Sequence, residues 1–355
     1  MSFKFNFDIE MDGEDVETPY VEPTPDTFVQ SPSSASSRVP AQLHSLDELI
    51  SKLPPHIAYS PLSIPLTSSK TITIPRRELF DVKMQLMAED NNPSTNASQN
   101  FSAAFTDEDI RTNTYEGGLK SWECSSDLVK QLVSDSEIWK NSSHRILELG
   151  CGTALPSCYI LQTLLSSPGD HPVHLTLADY NIDVLRLVTL PNLILAYLYA
   201  TNGLPSSDPS VSEEPEETPE IELTPDLISS FLSTLQSHHI SISFLSGSWS
   251  PVMISLVHGG LEHPSTTEET MYSLLLASET IYSPSSIPEF VDMIEYTLAD
   301  SGKGYIAAKD IYFGVGGSVK DFVDIVEGKA WKWEVVREEK RGTGVGRVVG
   351  VVSKS

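Results

Sequence analysis

The stretch Arg145-Ile-Leu-Glu-Leu-Gly-Cys-Gly-Thr153 decides the predicted fold of the chain. Residues 145–148 have the apolar pattern of a short strand, and an apolar pattern of helical period begins at Ala154. Between them, Gly150 and Gly152 let the backbone turn sharply and approach a ligand closely, where any Cβ would collide. The following helix presents unpaired N–H groups and the positive end of its dipole to the same place. The stretch therefore predicts a strand-turn-helix unit that binds a nucleoside cofactor.

Glu148 closes this strand, and its charge narrows the choice of ligand. A carboxylate repels the pyrophosphate of a dinucleotide, but it suits a ligand with an amino group beside its carboxylate, such as the amino-acid end of S-adenosylmethionine. We therefore predict S-adenosylmethionine as the cofactor. A glycine pair between strand and helix that binds no ligand stays open as the alternative at this point.

The length and the cysteines limit the class of protein. The 355 residues could form one large domain with tails or two small domains. Cys124, Cys151 and Cys158 are too few and too badly spaced for a zinc site or a disulfide framework, which indicates a reducing compartment. We expect a cytoplasmic location, with the nucleus as a second one. The acidic first thirty residues are the reverse of a signal or transit peptide, and no continuous apolar run reaches the roughly 18 residues that span a bilayer. No membrane association is expected.

The formal net charge of −26 bears on the partners. It argues against direct nucleic-acid binding, because a phosphate backbone repels a strongly negative chain. It favours a basic protein as partner. The alternative, that the acidity only keeps the chain soluble, has equal weight. We expect a monomer.

The predicted domain boundary falls at residue 70. Residues 1–70 are rich in Pro, Ser and acidic residues and bury too little apolar surface to offset the entropy of ordering, so we predict a disordered arm with one short helix at 46–53. Residues 71–355 are predicted to form one domain. Within it, residues 89–103 are expected to be a linker or loop, and 201–222 a flexible acidic insertion with no chemistry of its own.

A second predicted strand, 173–178, ends in Asp179-Tyr-Asn181, and Asp179 lies 29 residues beyond Gly150. That spacing is about one strand-helix-strand unit, and a carboxylate at the tip of the second parallel strand can accept both ribose hydroxyls of a nucleoside. Helix capping is the alternative, because Asp179 and Asn181 also precede a predicted helix at 182–199. Both roles can hold together.

The remaining elements continue this alternation. Further strands are predicted at 240–245, 274–277, 304–308, 332–337 and 346–353, and further helices at 125–133, at 287–298 and ending near 327. The order predicts an α/β fold with a seven-stranded, mostly parallel sheet, helices on both faces and a C-terminal antiparallel hairpin. Polar or glycine-bearing strand ends then lie at one edge of the sheet, where open α/β sheets bind ligands. Pro191 is expected to kink the helix that contains it.

These motifs support a family resemblance. Glu148-Leu-Gly-Cys-Gly152, Asp179 and the seven-strand pattern are similar to the class I S-adenosylmethionine-dependent methyltransferases, which have a Rossmann-like fold. Longer motifs narrow the resemblance: Tyr115-Glu-Gly-Gly-Leu-Lys-Ser-Trp-Glu-Cys124, Asp179-Tyr-Asn181, Leu190-Pro-Asn192, Gly247-Ser-Trp249, Ser278-Glu-Thr-Ile-Tyr282 and Tyr312-Phe-Gly-Val-Gly-Gly317. Over residues 76–355 the chain resembles the protein-histidine N-methyltransferases of eukaryotes.

The resemblance implies a set of cofactor-binding residues, to which Glu148 is added from the argument above. They are Trp122, Glu123, Cys124 and Ser125 beside the cofactor, Gly150 and Gly152 under its methionine part, Asp179, Tyr180 and Asn181 at the ribose, Gly247, Ser248 and Trp249 on the adenine side, and Ser278 at the tip of the fourth strand. Relatives often have an acid at the position of Ser248, and this departure puts a side-chain contact with the adenine amine in question.

The resemblance also implies the reaction and its substrate. The family methylates a histidine of the third large-subunit ribosomal protein at the ring nitrogen remote from the main chain, the tele nitrogen. The implied partner is therefore a basic ribosomal protein.

The chemistry indicates which catalytic residues to expect. Histidine has a pKa of about 6.5, so most of it carries a free lone pair at cytosolic pH and no strong base is required. An acceptor for the other ring N–H is required, because it fixes which nitrogen attacks. Glu279 is the first candidate, with a structural role in the following loop as its alternative. Tyr282, three residues on, either lines the substrate slot or only packs.

Two other functions stay open from the sequence. Glu279-Thr-Ile-Tyr282 also resembles the acid-x-x-aromatic motif of lysine methyltransferases. Lysine has a pKa of about 10.4 and must first lose a proton, so that activity would rise more steeply above neutral pH. The other alternative is a non-catalytic ribosome-assembly factor that keeps the cofactor fold.

Overall fold

The computed structural model describes residues 38–90, 117–136, 144–167, 169, 171–204, 218–259, 270–339 and 345–354, within the compact unit Ser37–Ser355. Residues 1–37 of the predicted arm, most of the predicted linker and residues 205–217 of the insertion lie outside the described residues, as do Tyr115 and Glu116 of the first long motif.

The elements are numbered in chain order. The strands are β1 (Gln42–His44), β2 (His56–Thr67), β3 (Lys70–Arg77), β4 (His144–Leu149), β5 (Val173–Asp179), β6 (Glu220–Glu222), β7 (Ile240–Ser246), β8 (Tyr272–Ser278), β9 (Leu298–Lys309), β10 (Lys332–Glu339) and β11 (Arg347–Ser353). The helices are α1 (Leu46–Ile50), α2 (Leu79–Asp90), α3 (Glu123–Ser134), α4 (Leu155–Ser166), α5 (Ile182–Ala200), α6 (Pro225–Ser237), α7 (Pro251–Val257), α8 (Ile287–Thr297) and α9 (Val319–Gly328).

The main sheet has the strand order β1-β7-β5-β4-β8-β9-β11-β10. Strands β7, β5, β4, β8 and β9 run parallel, whereas β11 is antiparallel to both β9 and β10. The predicted fold class is confirmed, and β1 adds an eighth strand, antiparallel to β7, at one edge. From β4 the chain continues to β5 and β7 on one side of β4, and then to β8 and β9 on its other side. The switch point therefore lies between β4 and β8. In sheets of this type, that is where a crevice opens for ligands.

The core has one apolar layer on each face of the sheet. Alternate residues of β4 show this, because Ile146 packs with α4 and α5 on one face while Leu147 and Leu149 pack with α8 and α9 on the other. Parallel strands that are buried on both faces read as nearly continuous apolar runs. For this reason the predicted bounds of β4, β5, β7 and β8 agree with the structure to within two residues, whereas β9 begins at Leu298, six residues before its predicted start.

The boundary predicted at residue 70 is wrong. Residues 42–77 form β1, α1, β2 and β3, and β2 is the middle strand of a three-stranded antiparallel sheet, β3-β2-β6. The prolines that suggested disorder are compatible with this sheet. Only residues 56–58 of β2 pair with β6. Pro61 and Pro65 lie beyond them, where this edge of β2 has no β6 partner and a proline is tolerated. The predicted short helix is present as α1, and β6 belongs to the end of the predicted insertion.

Helix α5 contains a π-helical turn, Leu185–Thr189, directly before the predicted kink at Pro191. Proline lacks the N–H that would bond to the carbonyl of Leu187, and Arg77 Nη1 donates to that carbonyl at 2.9 Å instead. By length and composition α5 could cross a membrane, but 83% of the apolar window is buried inside the protein, as in the core helix of a globular domain. Helices α2, α6 and α7 were not predicted.

Candidate active site

The turn after β4 is as sharp as predicted. Gly150 and Gly152 have φ values of +63° and +50°, in the left-handed region that favours glycine. A Cβ on Gly150 would lie 2.7 Å from Thr280 Cγ2, and one on Gly152 would lie 3.1 Å from the carbonyl oxygen of Gly118. The loop after β8 and the loop before α3 therefore close directly on the glycine turn, and both glycines are required by this packing.

Helix α5 braces the same turn from below. Thr189 Oγ1, at the end of the π-helical segment, donates to the carbonyl of Gly152 at 2.6 Å, and Asn192 Nδ2 donates to the carbonyl of Thr153 at 2.9 Å. Both side chains are fully buried. The Leu190-Pro-Asn192 motif therefore positions the backbone of the turn, a role that the sequence analysis missed because it depends on a contact between distant segments.

Glu148 lies beneath the turn and is 1% exposed. Its Oε2 accepts hydrogen bonds from the backbone N–H of Ser157, at 3.1 Å, and from the Ser157 hydroxyl, so it satisfies an otherwise unpaired N–H in the first turn of α4. Burial, the largest cause, raises the pKa of this carboxyl to about 8. A cationic ligand group nearby would favour the ionised form. Contact with the amino group of a cofactor stays a prediction.

Asp179 ties the end of β5 to the glycine turn. Its Oδ2 accepts from the N–H of Gly152 at 3.0 Å, and its Oδ1 accepts from the N–H of Asn181 at 3.1 Å. Asn181 precedes α5 but makes no side-chain capping bond. Asp179 therefore orders the turn rather than capping the helix, and its contact with the ribose stays a prediction. Tyr180, between these residues, is partly exposed.

The loop that leads into α3 packs against these two strand ends. Trp122 Nε1 donates to the carbonyl of Gly117 at 3.0 Å, and the hydroxyls of Ser121 and Thr153 lie 3.0 Å apart. Ser125 Oγ donates to the carbonyl of Trp122 at 2.6 Å. A Cβ on Gly118 would lie 3.2 Å from Asp179 Oδ2, so this loop also approaches the predicted ribose end. The predicted cofactor-binding residues at the start of α3 therefore lie at the edge of the sheet where β4 and β5 end.

The loop after β7 is covered by the chain's own N-terminal segment. The backbone N–H and the hydroxyl of Ser248 both donate to the carbonyl of Val39 at 3.0 Å, and a Cβ on Gly247 would lie 2.5 Å from the carbonyl oxygen of Pro40. Trp249 packs its ring 5.0 Å from that of Phe290 in the core. The Ser248 hydroxyl is therefore engaged within the protein, and the adenine contacts predicted for this loop stay predictions.

Glu279 and Lys309 meet where β8 and β9 end. Ser278 is the last residue of β8, and Glu279 follows in the left-handed region with φ +57°, a strained conformation for a residue with a Cβ. The Glu279 side chain is 9% exposed, and its Oε1 lies 3.4 Å from Lys309 Nζ. The same ammonium lies 3.7 Å from a carboxylate oxygen of Glu123 and 5.0 Å from the ring centre of Trp122. Lys309 therefore links the predicted catalytic acid to the α3 loop.

Two protonated groups border this carboxylate. Burial raises the pKa of the Cys124 thiol and of the Tyr312 hydroxyl well above their ordinary values, and the charge of Glu279 raises both further. Cys124 is therefore a neutral thiol and not a nucleophilic thiolate. The Tyr282 ring meets that of Tyr312 edge-on, with centroids 6.3 Å apart, and Tyr282 is partly exposed.

Three buried polar atoms around the glycine turn have no hydrogen-bond partner within the part of the chain that the structure describes. They are Asn181 Nδ2, Thr280 Oγ1 and Glu279 Oε1, of which Glu279 Oε1 is ion-paired with Lys309. Buried polar groups are nearly always paired, and a polar ligand at this edge of the sheet would supply partners for Asn181 and Thr280. The residues fit a nucleoside cofactor with an amino-acid end. Over the same described residues, no group of three or more His, Cys, Asp or Glu could hold a metal ion.

Three features of this site were not predicted from the sequence. Lys309 directly follows the predicted strand 304–308, and a charged residue at that position was a usable signal. The bracing by α5 and the covering segment at 38–41 carried no local signal, because both arise from contacts between residues far apart in the chain.

Proteins similar to this chain share one name. Histidine protein methyltransferase 1 of Saccharomyces cerevisiae is 40% identical, over 72% of this chain and 68% of that protein. The protein of the same name in Schizosaccharomyces pombe is 36% identical, over 78% and 74%, and the Bos taurus homolog is 29% identical, over 85% and 72%. No protein-family model matches the chain. Among solved structures, a magnesium protoporphyrin IX methyltransferase of Synechocystis, 10% identical, has a TM-score of 0.36 over 77% of this chain and 100% of that one, a likeness too slight to support an inference.

Proposed function

The chain belongs to the histidine protein methyltransferase 1 family, and we propose that it methylates the tele nitrogen of a histidine in a large-subunit ribosomal protein. It is a protein-histidine methyltransferase whose methyl donor is S-adenosylmethionine. One observation carries the proposal for the site: the largely buried Glu279 carboxylate, ion-paired with Lys309, directly precedes Thr280, which packs against the glycine turn at the switch point of the sheet. The net charge of −26 and the family resemblance support a basic ribosomal substrate.

The residues around the turn would hold the cofactor. Gly150 and Gly152 keep the backbone bare, Asp179 offers acceptor oxygens to ribose hydroxyls, and the partly exposed ring of Trp122 offers a surface to pack on. The other predicted contacts come from Glu123, Cys124, Ser125, Glu148, Tyr180, Asn181, Gly247, Ser248, Trp249 and Ser278. When bound, S-adenosylmethionine supplies a methyl group that its sulfonium makes electrophilic.

Glu279 is proposed to orient the substrate imidazole. Its carboxylate would accept the Nδ1–H, so that the lone pair of Nε2 points to the methyl group, and alignment of the reacting atoms is the main requirement. The methylated ring is a cation until its Nδ1 proton leaves, and the same carboxylate faces that proton. Lys309 is ion-paired with Oε1 of the same carboxylate and fixes its position. Tyr282 is proposed to form one wall of the slot.

The two alternative functions are weakened. The named relatives modify histidine, which disfavours the lysine methyltransferase that the Glu279-x-x-Tyr282 motif also suggested. They are enzymes by name, which disfavours a purely structural assembly factor. We propose that the protein works in the cytoplasm and the nucleus, where ribosomal proteins are made and assembled.

The proposal is tested by locating the transferred methyl group. Purified large-subunit ribosomal proteins are incubated with the full-length chain and methyl-labelled cofactor, then hydrolysed, and the amino acids are separated. We expect label in tele-methylhistidine, and none with Gly150→Val as the inactive control. Label in methyl-lysine without methyl-histidine would overturn the histidine assignment. Methyl-histidine in proteins other than those of the large subunit would overturn only the proposed substrate.

A further inference from the structure

The segment between β9 and α9 carries an exposed apolar cluster. We call residues 311–317 the apolar loop. Ile311, Phe313 and Val315 alternate along it and are 44%, 78% and 38% exposed. Single exposed apolar residues are common on protein surfaces, but three within five positions form a patch of the kind that marks an interaction site.

The shape of the apolar loop is fixed by its backbone. The N–H of Tyr312 donates to the carbonyl of Gly317 at 2.9 Å, and the N–H of Gly316 donates back to the carbonyl of Tyr312 at 3.0 Å. The Tyr312 side chain is buried and anchors the loop beneath the three exposed residues. Gly314 and Gly316 take φ values of +85° and +90°, and a Cβ on Gly314 would meet nothing within 4 Å, so the tip is bare on that side. The exposed side chains are therefore held outward by an ordered turn.

The apolar loop is continuous with the candidate active site. It begins two residues after Lys309, whose ammonium lies 3.4 Å from Glu279. The N–H of Gly317 donates to the carbonyl of Tyr282 at 2.9 Å, which joins the loop to the segment that carries both proposed catalytic residues. A histidine side chain is short, so a ring that reaches Glu279 must bring its own main chain across this edge. The residues on either side of that histidine must then lie against the side chains that project from the apolar loop.

We infer that the apolar loop is the docking surface for the polypeptide around the target histidine. A bulky apolar side chain of that polypeptide packs on Phe313, and the segment that carries it is basic. The basic character follows from the net charge of −26 and from Glu123, whose side chain is 62% exposed beside Lys309. This inference rests on the proposed function, since it assumes that a protein histidine enters at Glu279.

Phe313→Ser tests the inference by separating protein recognition from chemistry. With a large-subunit ribosomal protein as substrate we expect KM to rise roughly tenfold, equal to about 1.4 kcal/mol, while kcat and the affinity for cofactor stay unchanged. With N-acetylhistidine amide, which has no flanking residues, the variant should match the wild type. Tyr296→Ser, which removes a side chain of 51% exposure from α8, is the matched control and should leave every value unchanged. An unchanged KM for the protein, or equal losses with both substrates, would overturn the inference.

A binding measurement distinguishes this inference from the proposed function. Arrayed basic peptides that contain histidine, with and without a neighbouring Leu or Phe, are probed with cofactor-bound protein, so no methyl transfer is needed. We expect the wild type and Tyr296→Ser to prefer peptides with the apolar neighbour, and Phe313→Ser to lose that preference. The same preference in all three proteins would refute the docking surface, whatever residue the enzyme methylates. If the preference depends on Phe313 but no ribosomal histidine is labelled, only the proposed substrate fails.

Discussion

Glu148→Gln should change how the stability of the protein depends on pH. Burial raises the pKa of the Glu148 carboxyl from 4.5 to about 8. Between these values the folded state holds a proton that the unfolded state has released, so stability falls as pH rises. The contribution of this group is fully present below about pH 4.5 and is lost as pH passes through about 8. Glutamine keeps the size of the side chain and an acceptor for the Ser157 N–H, but it has no charge to bury.

The pKa values set the size of the effect. A difference of about 3.5 units, at about 1.36 kcal/mol per unit, gives about 5 kcal/mol when the carboxyl is fully ionised. Water that reaches the ionised group reduces this cost, so we expect the free energy of unfolding of Glu148→Gln, relative to the wild type, to rise by at least about 2 kcal/mol between pH 5 and pH 9. Urea unfolding of the ligand-free protein at five pH values measures it.

The comparison with the variant is needed because another group titrates in part of this range. Burial lowers the pKa of His174 to about 4, so its contribution rises with pH between about 4 and 6.5, opposite to that of Glu148. Subtracting the two profiles removes this contribution. Glu334→Gln, at an exposed site on β10, is the control and should give a flat difference.

A flat difference for Glu148→Gln would refute the reasoning about the buried carboxyl. Saturating S-adenosylmethionine tests the predicted contact in the same experiment. If the amino group of the cofactor pairs with Glu148, the cofactor should stabilise the wild type more than the variant, and most strongly above pH 7. Equal stabilisation of both proteins would mean that Glu148 only caps α4 and does not pair with the cofactor.

Gly150→Val is expected to abolish methyl transfer in a radiometric assay, because its Cβ would overlap the loop after β8, whereas Gly259→Val, also at positive φ but with nothing within 4 Å, should retain it. Retained activity in the first variant would show that the turn tolerates a side chain. Asp179→Ala should weaken cofactor binding, measured by calorimetry, by roughly 10- to 100-fold, about 1.5–3 kcal/mol. Unchanged affinity would mean that this carboxylate serves only the turn. Arg77→Met should lower the free energy of unfolding, measured in urea, by about 3–5 kcal/mol. The substitution removes the partner of the Leu187 carbonyl and of the Asp81 carboxylate. A loss below about 1 kcal/mol would contradict this account of the π-helical turn.

The main sheet and the edge at which the site lies could be predicted from local patterns in the sequence. Apolar runs such as Leu274–Leu276 indicate a strand that is buried on both faces, and glycines such as Gly150 indicate a turn that no other residue fits. Both signals are local, because they depend on neighbours along the chain. The side chains at the strand ends, among them Asp179 and Glu279, were therefore placed together before any contact was known.

The partners of these residues could not be predicted, because most of them come from distant parts of the chain. Glu148 caps α4, the Ser248 hydroxyl bonds to Val39, and Lys309 joins Glu279 to the α3 loop. Apart from the short helix α1, the ordering of residues 42–70 was not predicted from the sequence, because the entropy of fixing a Pro- and Ser-rich segment is offset there by strand pairing and burial against residues more than a hundred positions away. Pairing energies of that kind depend on three-dimensional proximity, and no periodicity in the chain records them.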